Sequence, residues 1–414
     1  MSAVSTEPAS GTVRPRDVLL GGNVLWLAIV SLLTDTASEM IYPLLPLFLV
    51  GTLGAGPAFL GLVEGVAESA SSLLKLASGW ASDRLRRRRP LVIAGYGIAA
   101  VVRPFIAFAA APWHVLVIRF TDRVGKGVRT APRDALLADS VPPAMRGRVF
   151  GFHRAADHAG AVIGPLLASA LLLLLGGRLR PVFLIAAVPG LLAVLVLTLR
   201  VRETRAPPAA PAPAREPAAA EAASGGASGL GAPFVRYLCV LGLFTLGNAT
   251  DAFLLLYANG LGVPATAVPL LWGVHHVSKM LWNVPGGALA DRFGPRPAIV
   301  AGWAVYAATY AGFAFATEAW HAWALFVGYG LFYGLTEAPE KVLVAAFAPA
   351  HRRGAAFGAF HGTIGLTALP ASVLFGVLWS AFGPAAAFLT GAAIALAASL
   401  LLALVVPAPA ELRS

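Results

Sequence analysis

Long apolar segments separated by short polar or basic stretches run through almost the whole chain. A hydrocarbon core of about 30 Å needs roughly 20 apolar residues per helix, and twelve segments of this sequence come close to that length. The predicted spans are 22–50, 58–80, 90–110, 113–137, 149–175, 181–200, 233–259, 265–289, 296–317, 320–346, 355–380 and 385–406. The pattern therefore predicts an all-α membrane protein with twelve transmembrane helices.

One internal segment breaks this pattern, because Ala, Pro, Gly and Ser dominate residues 202–232. Such a composition cannot bury a core and is typical of a flexible linker. The predicted organisation is a cytoplasmic N-terminal tail, a six-helix bundle, a cytoplasmic linker, a second six-helix bundle and a C-terminal tail. These five parts cover residues 1–21, 22–201, 202–232, 233–406 and 407–414.

Composition agrees with a lipid environment. Hydrophobic residues make up 58% of the 414 positions and charged residues 12%, whereas a soluble domain carries about 25% charge. A net charge of +11 would suggest nucleic acid in a soluble protein. Here most basic residues lie between apolar runs, where they set orientation, so we expect a lipid bilayer and no nucleic acid as partner.

Arginine placement predicts the topology. The even-numbered connections carry clusters of Arg, and the odd-numbered ones carry almost none, apart from Arg178 and Arg180. Because Lys and Arg accumulate on the cytoplasmic side of a membrane, both termini should face the cytoplasm. We expect a monomer in the plasma membrane.

The first half of the chain repeats in the second. Three motifs recur, two at an offset of 207 and one at 208. They are G-x-x-x-D-R (Gly79, Asp83, Arg84; Gly287, Asp291, Arg292), G-x-x-x-A-P (Gly127; Gly334) and R-G-x-x-F-G (Arg146; Arg353). Six helices separate equivalent positions, and an even number preserves direction. The halves should be parallel repeats with the substrate site between them.

This organisation resembles the major facilitator superfamily over nearly the whole chain. That family's loop signature, G-x-x-x-D-R-x-G-R-[KR], is similar to GALADRFGPR from Gly287, while the copy from Gly79 has Arg86 where a glycine is usual. The resemblance implies two pseudo-symmetric six-helix bundles and transport by alternating access. It also implies that Asp83 and Asp291 latch to neighbouring helices at a cytoplasmic gate; the alternative is a solvated loop that only sets topology.

Many ionisable residues fall inside the apolar segments. Each costs several kcal/mol in lipid unless it is paired or faces water, so they should line a polar cavity. The candidates are Asp35, Glu39, Glu64, Glu68, Arg119, Asp122, Arg123, Lys126, Arg129, Asp251, His276, Lys279 and Glu337. The fourth segment alone has five basic and two acidic residues, from Arg119 to Asp134, and its positive field favours an anionic or zwitterionic substrate.

Proton coupling is implied by a second resemblance. The stretch Arg123-x-x-Lys126-Gly127-x-x-x-Ala131 is similar to the superfamily's fourth-helix motif, with Lys126 in place of glutamine. By that resemblance Asp35 or Glu39 would take the proton and Arg123 would modulate it. The alternative is a permanent structural pair between Arg123 and Asp35.

Two charged dipeptides occupy equivalent places in the repeat with opposite order, Arg133-Asp134 and Glu340-Lys341. We predict that they meet across the bundle interface as an inner gate; the alternative is that each neutralises itself within its own helix. A further motif, Gly160-x-x-x-Gly164-Pro165, looks like the superfamily's antiporter motif and predicts close helix packing.

The sequence therefore predicts a secondary transporter rather than an enzyme, with no cofactor or bound metal. It would export a small anionic or amphiphilic molecule in exchange for protons. One alternative is proton-coupled import of an anionic metabolite, with Arg119, Lys126 and Arg129 as anion ligands. Two others are a membrane metalloenzyme built on His153, Asp157 and His158, and a non-transporting receptor.

Overall fold

A computed structural model describes residues 19–85, 88–142, 145–203, 231–348 and 352–408. The described residues form twelve membrane-length helices and no strand. The helices are α1 Gly22–Thr52, α2 Pro57–Leu85, α3 Arg89–Phe108, α4 Pro112–Asp139, α5 Arg146–Leu174, α6 Leu179–Arg200, α7 Ala232–Gly260, α8 Val268–Phe293, α9 Pro295–Phe315, α10 Ala319–Phe347, α11 Arg353–Phe382 and α12 Pro384–Val405. The fold predicted from the sequence is confirmed, with helix ends within a few residues of those expected.

Eight of these helices meet a length and hydropathy criterion for crossing a membrane. The other four, α2, α4, α8 and α10, fall below it because they carry more charged and polar residues. The outer surface is apolar, with Leu174, Val284 and Leu404 each about four-fifths exposed (82%, 79% and 82%). A continuous apolar exterior of this kind is stable only against lipid.

The tails and most of the linker lie outside the described residues. α6 ends at Arg200 and α7 begins at Ala232, on either side of the segment predicted as a linker. Of the linker itself, only residues 202, 203, 231 and 232 are described.

Gly-Pro pairs make the tightest connections between helices. Gly294 and Gly383 have φ values of +89° and +86°, and each ends one helix and precedes the first residue of the next. Glycine adopts positive φ without the steric cost of a Cβ, and proline is favoured in the first turn of a helix. The sequence thus fixes one-residue turns between α8 and α9 and between α11 and α12.

The internal repeat is visible in the helix packing. Within the first bundle the pairs α1–α5, α2–α4, α3–α4, α1–α6 and α3–α6 are in contact. In the second bundle the equivalent pairs α7–α11, α8–α10, α9–α10, α7–α12 and α9–α12 are in contact. The two six-helix bundles are therefore related as the sequence offset predicts.

The bundles meet chiefly along α2–α11 and α5–α8, which are again equivalent pairs. Small residues allow the helix backbones to approach. A Cβ added at Gly376 would lie 2.6 Å from the carbonyl oxygen of Pro57, and one at Gly65 would lie 2.9 Å from Cα of Leu369. Close approach at glycine is a common way for membrane helices to associate.

These contacts are concentrated at one end of the molecule. We call the end where α1 begins and α12 finishes the terminus face, and the other end the opposite face. Gly376 and Gly65 lie in the half nearer the opposite face, whereas Gly354 and Gly362, nearer the terminus face on α11, have nothing within 4 Å of an added Cβ. The closest approaches of the α2 and α11 backbones therefore lie towards the opposite face.

Candidate functional site: a charged cavity between the bundles

A cavity of about 670 Å³ lies between the two bundles. Nine Lys or Arg and six Asp or Glu side chains line it, which gives a net formal charge of +3 with histidines neutral. The predicted residues among them are Asp35, Glu39, Glu64, Glu68, Arg119, Arg123, Lys126, Arg129, Asp251, His276 and Lys279. Charges that lipid would exclude are thus gathered around an internal polar space.

Two buried ion pairs stabilise the first-bundle wall. Arg119 on α4 donates to both carboxylate oxygens of Glu64 on α2, at 2.9 and 2.7 Å. Arg103 on α3 donates to Asp122 on α4 at 2.7 Å, so Asp122 lies behind the lining residues rather than among them. Buried guanidinium–carboxylate pairs of this geometry satisfy both partners, and these arginines are not available to a ligand.

The rest of the α4 stripe is different. Within the described parts of the chain, Arg123, Lys126 and Arg129 form no ion pair within 4.0 Å. Arg129 is only 4% exposed, and its Nε and Nη1 atoms have no hydrogen-bond partner. Its guanidinium carbon lies 4.1 Å from the ring centroid of Tyr96, a cation–π contact. Three cations therefore remain unneutralised on one side of the cavity.

The two predicted proton carriers lie on α1 and face different partners. Glu39 accepts a hydrogen bond from Nε1 of Trp272 on α8 at 2.8 Å, and Nε2 of His276 lies 3.8 Å from the same oxygen. Asp35 lines the cavity one turn earlier, in the field of Arg129, Lys126 and Asp157. No direct pair joins Asp35 to Arg123 among the described side chains, so the permanent structural pair considered as an alternative is not formed here.

The second-bundle wall is built around a break in α7. The helix is interrupted between Gly247 and Ala252, which separates the segments Ala232–Gly247 and Ala252–Gly260. Asp251 lies at the break and accepts hydrogen bonds from Tyr329 and Tyr333 on α10, at 2.8 and 2.9 Å. No pattern in the sequence predicts this break, because residues 248–251 include neither glycine nor proline.

Lys279 and Glu337 belong to a cluster towards the terminus face. The Lys279 ammonium lies 3.5 Å from Glu337 and 4.0 Å from the ring centroid of Tyr333. Arg154 on α5 also pairs with Glu337, and Lys341 lies 3.7 Å from it. Glu337 therefore links the two bundles from behind Lys279 and is not itself among the lining residues.

The dipeptides of the predicted inner gate are apart in this structure. Arg133 donates to the adjacent Asp134 at 2.7 Å, and Glu340 accepts from Nε1 of Trp303 at 3.2 Å. Each half is thus satisfied locally. The cross-interface pairing is not formed here and stays a prediction for a conformation closed at the terminus face.

The loop-signature residues lie at the terminus face. Gly287 is near the end of α8, and Asp291 and Arg292 are exposed there. The Arg292 guanidinium lies 5.1 Å from the ring centroid of Phe293. The side chains of Gly79, Asp83 and Arg84 in the first copy lie outside the described residues, so the first latch stays a prediction.

The Gly160–Gly164–Pro165 motif packs α5 against α1. A Cβ at Gly160 would lie 2.5 Å from the carbonyl oxygen of Leu32, and one at Gly164 would lie 2.6 Å from that of Thr36. Pro165 faces the other bundle, because a Cβ added at Gly273 would lie 3.6 Å from the Cβ of Pro165. Close packing here holds the helix that carries Asp35 and Glu39.

The metalloenzyme alternative has no support in the site. His153 Nε2 lies 3.7 Å from Asp157, but no group of three or more His, Cys, Asp or Glu side chains is clustered for a metal within the described ranges. Asp157 instead accepts a hydrogen bond from Ser31.

Sequence reasoning missed several residues of the site. Arg103 is a buried charge inside the third apolar segment, and the criterion applied to the other helices would have found it. Tyr42, Tyr329 and Tyr333 gave no such signal, because tyrosine is common in apolar helices and its role depends on the facing helix.

Comparison with known proteins identifies the family. The sequence profile of the Major Facilitator Superfamily matches residues 27–278 and 238–414. An uncharacterised MFS-type transporter of Methanocaldococcus jannaschii is 31% identical over 389 residues, which cover 92% of this chain and 94% of the relative. The multidrug resistance protein MdtH of Photorhabdus laumondii is 31% identical over 133 residues, 32% of this chain and 33% of that protein.

Solved structures agree at the level of the fold. The nucleoside transporter NupG gives a TM-score of 0.74 at 14% identity, covering 92% of this chain and 98% of that one. A D-xylose–proton symporter gives 0.72 at 18% identity, covering 94% and 98%. Twelve helices in two repeated bundles, a charged cavity between them and these matches lead to one conclusion: the chain belongs to the Major Facilitator Superfamily of membrane transporters.

Proposed function

We propose that this transporter couples proton movement to the export of a small anionic or amphiphilic compound. The observation that carries the proposal is the cavity between the bundles, whose lining has a net formal charge of +3. A polar cavity of this size between two repeated bundles suits a substrate held between them while the bundles rock.

Alternating access is supported by the uneven distribution of contacts between the bundles. Close packing at Gly65 and Gly376 brings the bundles together towards the opposite face, while Arg154, a cavity residue towards the terminus face, is exposed. Arginine placement assigns the terminus face to the cytoplasm. We therefore propose a cytoplasm-facing conformation of a monomer in the plasma membrane, with both termini inside.

Proton coupling is supported by the position of Glu39 on the interface. Its carboxylate accepts the Trp272 hydrogen bond from the other bundle. A protonated carboxyl has less acceptor capacity and no charge to strengthen the bond. Protonation at Glu39, or at Asp35 one turn away, would therefore weaken a tie between the bundles and link proton binding to their movement.

Export is supported by two weaker observations. The Gly160–Gly164–Pro165 motif, which looks like that of antiporters, packs tightly on the helix with the proposed proton carriers. One relative bears the name multidrug resistance protein, although the alignment covers a third of it.

Import is the rival direction, and one observation favours it. Lys126 and Arg129 are unpaired and act on Asp35. An anion bound to them would favour protonation of the nearby carboxylate, so anion and proton would bind together and move in the same direction. Of the three anion ligands expected from the sequence, Arg119 is already occupied by Glu64.

Transport assays in membrane vesicles test the function and its direction. Compounds that stabilise the purified protein against heat would be selected first, and their flux would be followed in right-side-out and inverted vesicles under an imposed proton gradient. Export predicts gradient-driven uptake into inverted vesicles only. Uptake into right-side-out vesicles would establish import, and absence of counterflow would indicate a non-transporting receptor.

Substrate-driven proton flux in Asp35→Asn and Glu39→Gln tests the coupling residues. We expect at least one variant to lose proton flux while it still binds the compound. Asp139→Asn is the matched control, because Asp139 pairs with Arg88 away from the cavity. Unchanged proton flux in both Asp35→Asn and Glu39→Gln would remove these residues from the mechanism.

A further inference from the structure

The two walls of the cavity differ sharply in charge. The first bundle contributes eight basic and five acidic lining residues, so it carries the whole net charge of +3. The second bundle contributes one of each, Lys279 and Asp251. A ligand that spans the cavity therefore meets a positive surface on one side and a neutral one on the other.

The positive side has cations without partners. Arg103 and Arg119 are neutralised by Asp122 and Glu64, whereas Arg123, Lys126 and Arg129 lie without an ion pair in the described part of the chain. A buried guanidinium without a hydrogen-bond partner costs several kcal/mol, and the contact of Arg129 with Tyr96 offsets only part of this cost.

Three acids oppose these cations but do not cancel them. Asp35 and Glu68 both act on Lys126, Glu39 acts on Lys126 and Arg123, and Lys75 on α2 adds a further positive charge to the same region. Counting the three cations of α4 and Lys75 against the three acids leaves a local excess of one positive charge. Arg123, Lys126 and Arg129 follow one another at steps of three residues along α4 and all line the cavity, where each can donate to an anionic group with several oxygen acceptors.

The neutral side is rich in hydrogen-bonding groups. Asn248 and Thr250 line the cavity at the break in α7, and Thr245 and Ser372 also line it. The charges of this wall are already satisfied, since Asp251 is held by two tyrosines and Lys279 by Glu337. Neutral amide and hydroxyl groups of this kind bind ligand hydroxyls in both directions, as donors and as acceptors.

We propose that the substrate is a hydroxylated organic anion, bound with its anionic group on Arg123, Lys126 and Arg129 and its hydroxyls on Asn248 and the residues beside it. The inference rests on the proposed function, in which this cavity holds the transported compound. A volume of about 670 Å³ accommodates a body of monosaccharide size with its anionic substituent. Phosphate and carboxylate both fit the cationic side.

This inference is tested by measuring the affinity of four probes for the purified protein. Calorimetry gives these affinities in the absence of a proton gradient. Glucose 6-phosphate and gluconate carry both features, glucose lacks the anion and butyl phosphate lacks the hydroxyls. We expect millimolar or tighter binding of at least one of the first two, and at least tenfold weaker binding of the other two. The stronger of the first two identifies the anionic group. Failure of both to bind, or equal binding of glucose or butyl phosphate, would overturn the proposal.

Variants assign the two ends of the ligand. Lys126→Gln should weaken the binding of the hydroxylated anion and of butyl phosphate alike. The expected loss of affinity is about tenfold, the size expected for one charge-assisted hydrogen bond. Asn248→Ala should weaken the binding of the hydroxylated anion only. Arg200→Gln is the control, because Arg200 contacts Trp26 and does not line the cavity. Unchanged affinity in Lys126→Gln, with a normal unfolding temperature, would contradict the assignment.

Salt provides a readout that needs no variant. Attraction between an anion and partly buried cations weakens as ionic strength rises, so affinity for the anionic probe should fall with added salt. Binding of the probe without proton-driven flux would refute the proposed function alone. Gradient-driven transport of neutral or cationic compounds, with no binding of the anions, would refute this inference alone.

Discussion

Trp272 on α8 donates a hydrogen bond to Glu39 on α1 at 2.8 Å, and this bond crosses from one bundle to the other beside the cavity. The indole ring also lies 5.2 Å from the ring of Tyr42 on α1. A transporter that works by rocking its bundles must break such a contact in each cycle. The pair therefore joins the chemistry of the cavity to the conformation of the molecule.

Trp272→Phe should shift the conformational equilibrium away from the structure described. The change removes the indole donor and keeps an aromatic ring, so it deletes mainly a hydrogen bond to a carboxylate, about 1.5–3 kcal/mol. We expect roughly a tenfold increase in the population open at the opposite face. Spin labels at Gly56, in the exposed loop after α1, and at Gly260, at the exposed end of α7, would report it as a longer inter-label distance.

The same measurement on Trp320→Phe serves as control, because Trp320 is 61% exposed and lies outside the cavity. Labelling requires Cys239→Ser first, since Cys239 is the single cysteine of the sequence. Identical distance distributions in Trp272→Phe and the labelled parent would show that the bond does not hold the bundles.

The buried pair of Arg119 with Glu64 should be structural. Arg119→Gln leaves a buried carboxylate without its partner, which costs about 3–5 kcal/mol. We expect a clearly lower midpoint of thermal unfolding for this variant in detergent. Adding Glu64→Gln should restore part of the loss, because the double variant leaves no unpaired charge.

Arg178→Gln provides the baseline for that experiment, because Arg178 lies exposed in the connection before α6 and its side chain donates to the backbone carbonyl of Leu175. A surface change of this kind stays within about 0.5 kcal/mol. An unfolding midpoint for Arg119→Gln equal to that of Arg178→Gln would contradict a structural role for the pair.

Two glycines of α11 should differ in their tolerance of a methyl group. In Gly376→Ala the Cβ would meet the Pro57 carbonyl oxygen at 2.6 Å and Cα of Ala58 at 2.8 Å, both backbone atoms of α2. Overpacking of this type costs about 1–3 kcal/mol, and separation of the bundles relieves it. We expect Gly376→Ala to favour a conformation open at the opposite face, seen with the same spin labels.

Gly362→Ala is the matched substitution, because it lies on the same helix with nothing within 4 Å of its Cβ. It should leave the distance distribution unchanged. Equal behaviour of the two variants would mean that contact between α2 and α11 does not set the conformation.

A charge exchange tests the inner gate. Arg133→Glu and Glu340→Arg should each slow transport, because each would leave like charges facing one another when the terminus face closes. Together they would recreate the attraction with reversed sign and recover a substantial part of the rate. Binding measured in the conformation described here should change little, since the two residues are not paired in it.

If the double variant transports no faster than either single variant, the cross-interface pair does not form. In that case the local contacts, Arg133 with Asp134 and Glu340 with Trp303, would be the whole role of these residues.

The sequence by itself determined the number of helices, their grouping into two bundles and the polar interior. The hydropathy of a segment is a sum over some 20 neighbouring residues, so it depends on local sequence alone. For this reason the predicted ends of helices α1 to α12 lie within a few residues of the observed ends. The repeat of Gly79, Asp83 and Arg84 at Gly287, Asp291 and Arg292 fixed the relation between the halves. The cost of charge in lipid was enough to place Asp35, Glu64 and Lys126 on a cavity.

Only the tertiary structure decided which of these charges are paired. Arg119 finds Glu64 while Lys126, two turns away, has no partner among the described residues, and Arg103, which the sequence did not single out, neutralises Asp122. The break in α7 and the bond from Trp272 to Glu39 were likewise invisible in the sequence. Pairing depends on the rotation and depth of separate helices to within an ångström, and these follow from packing between distant segments rather than from local composition.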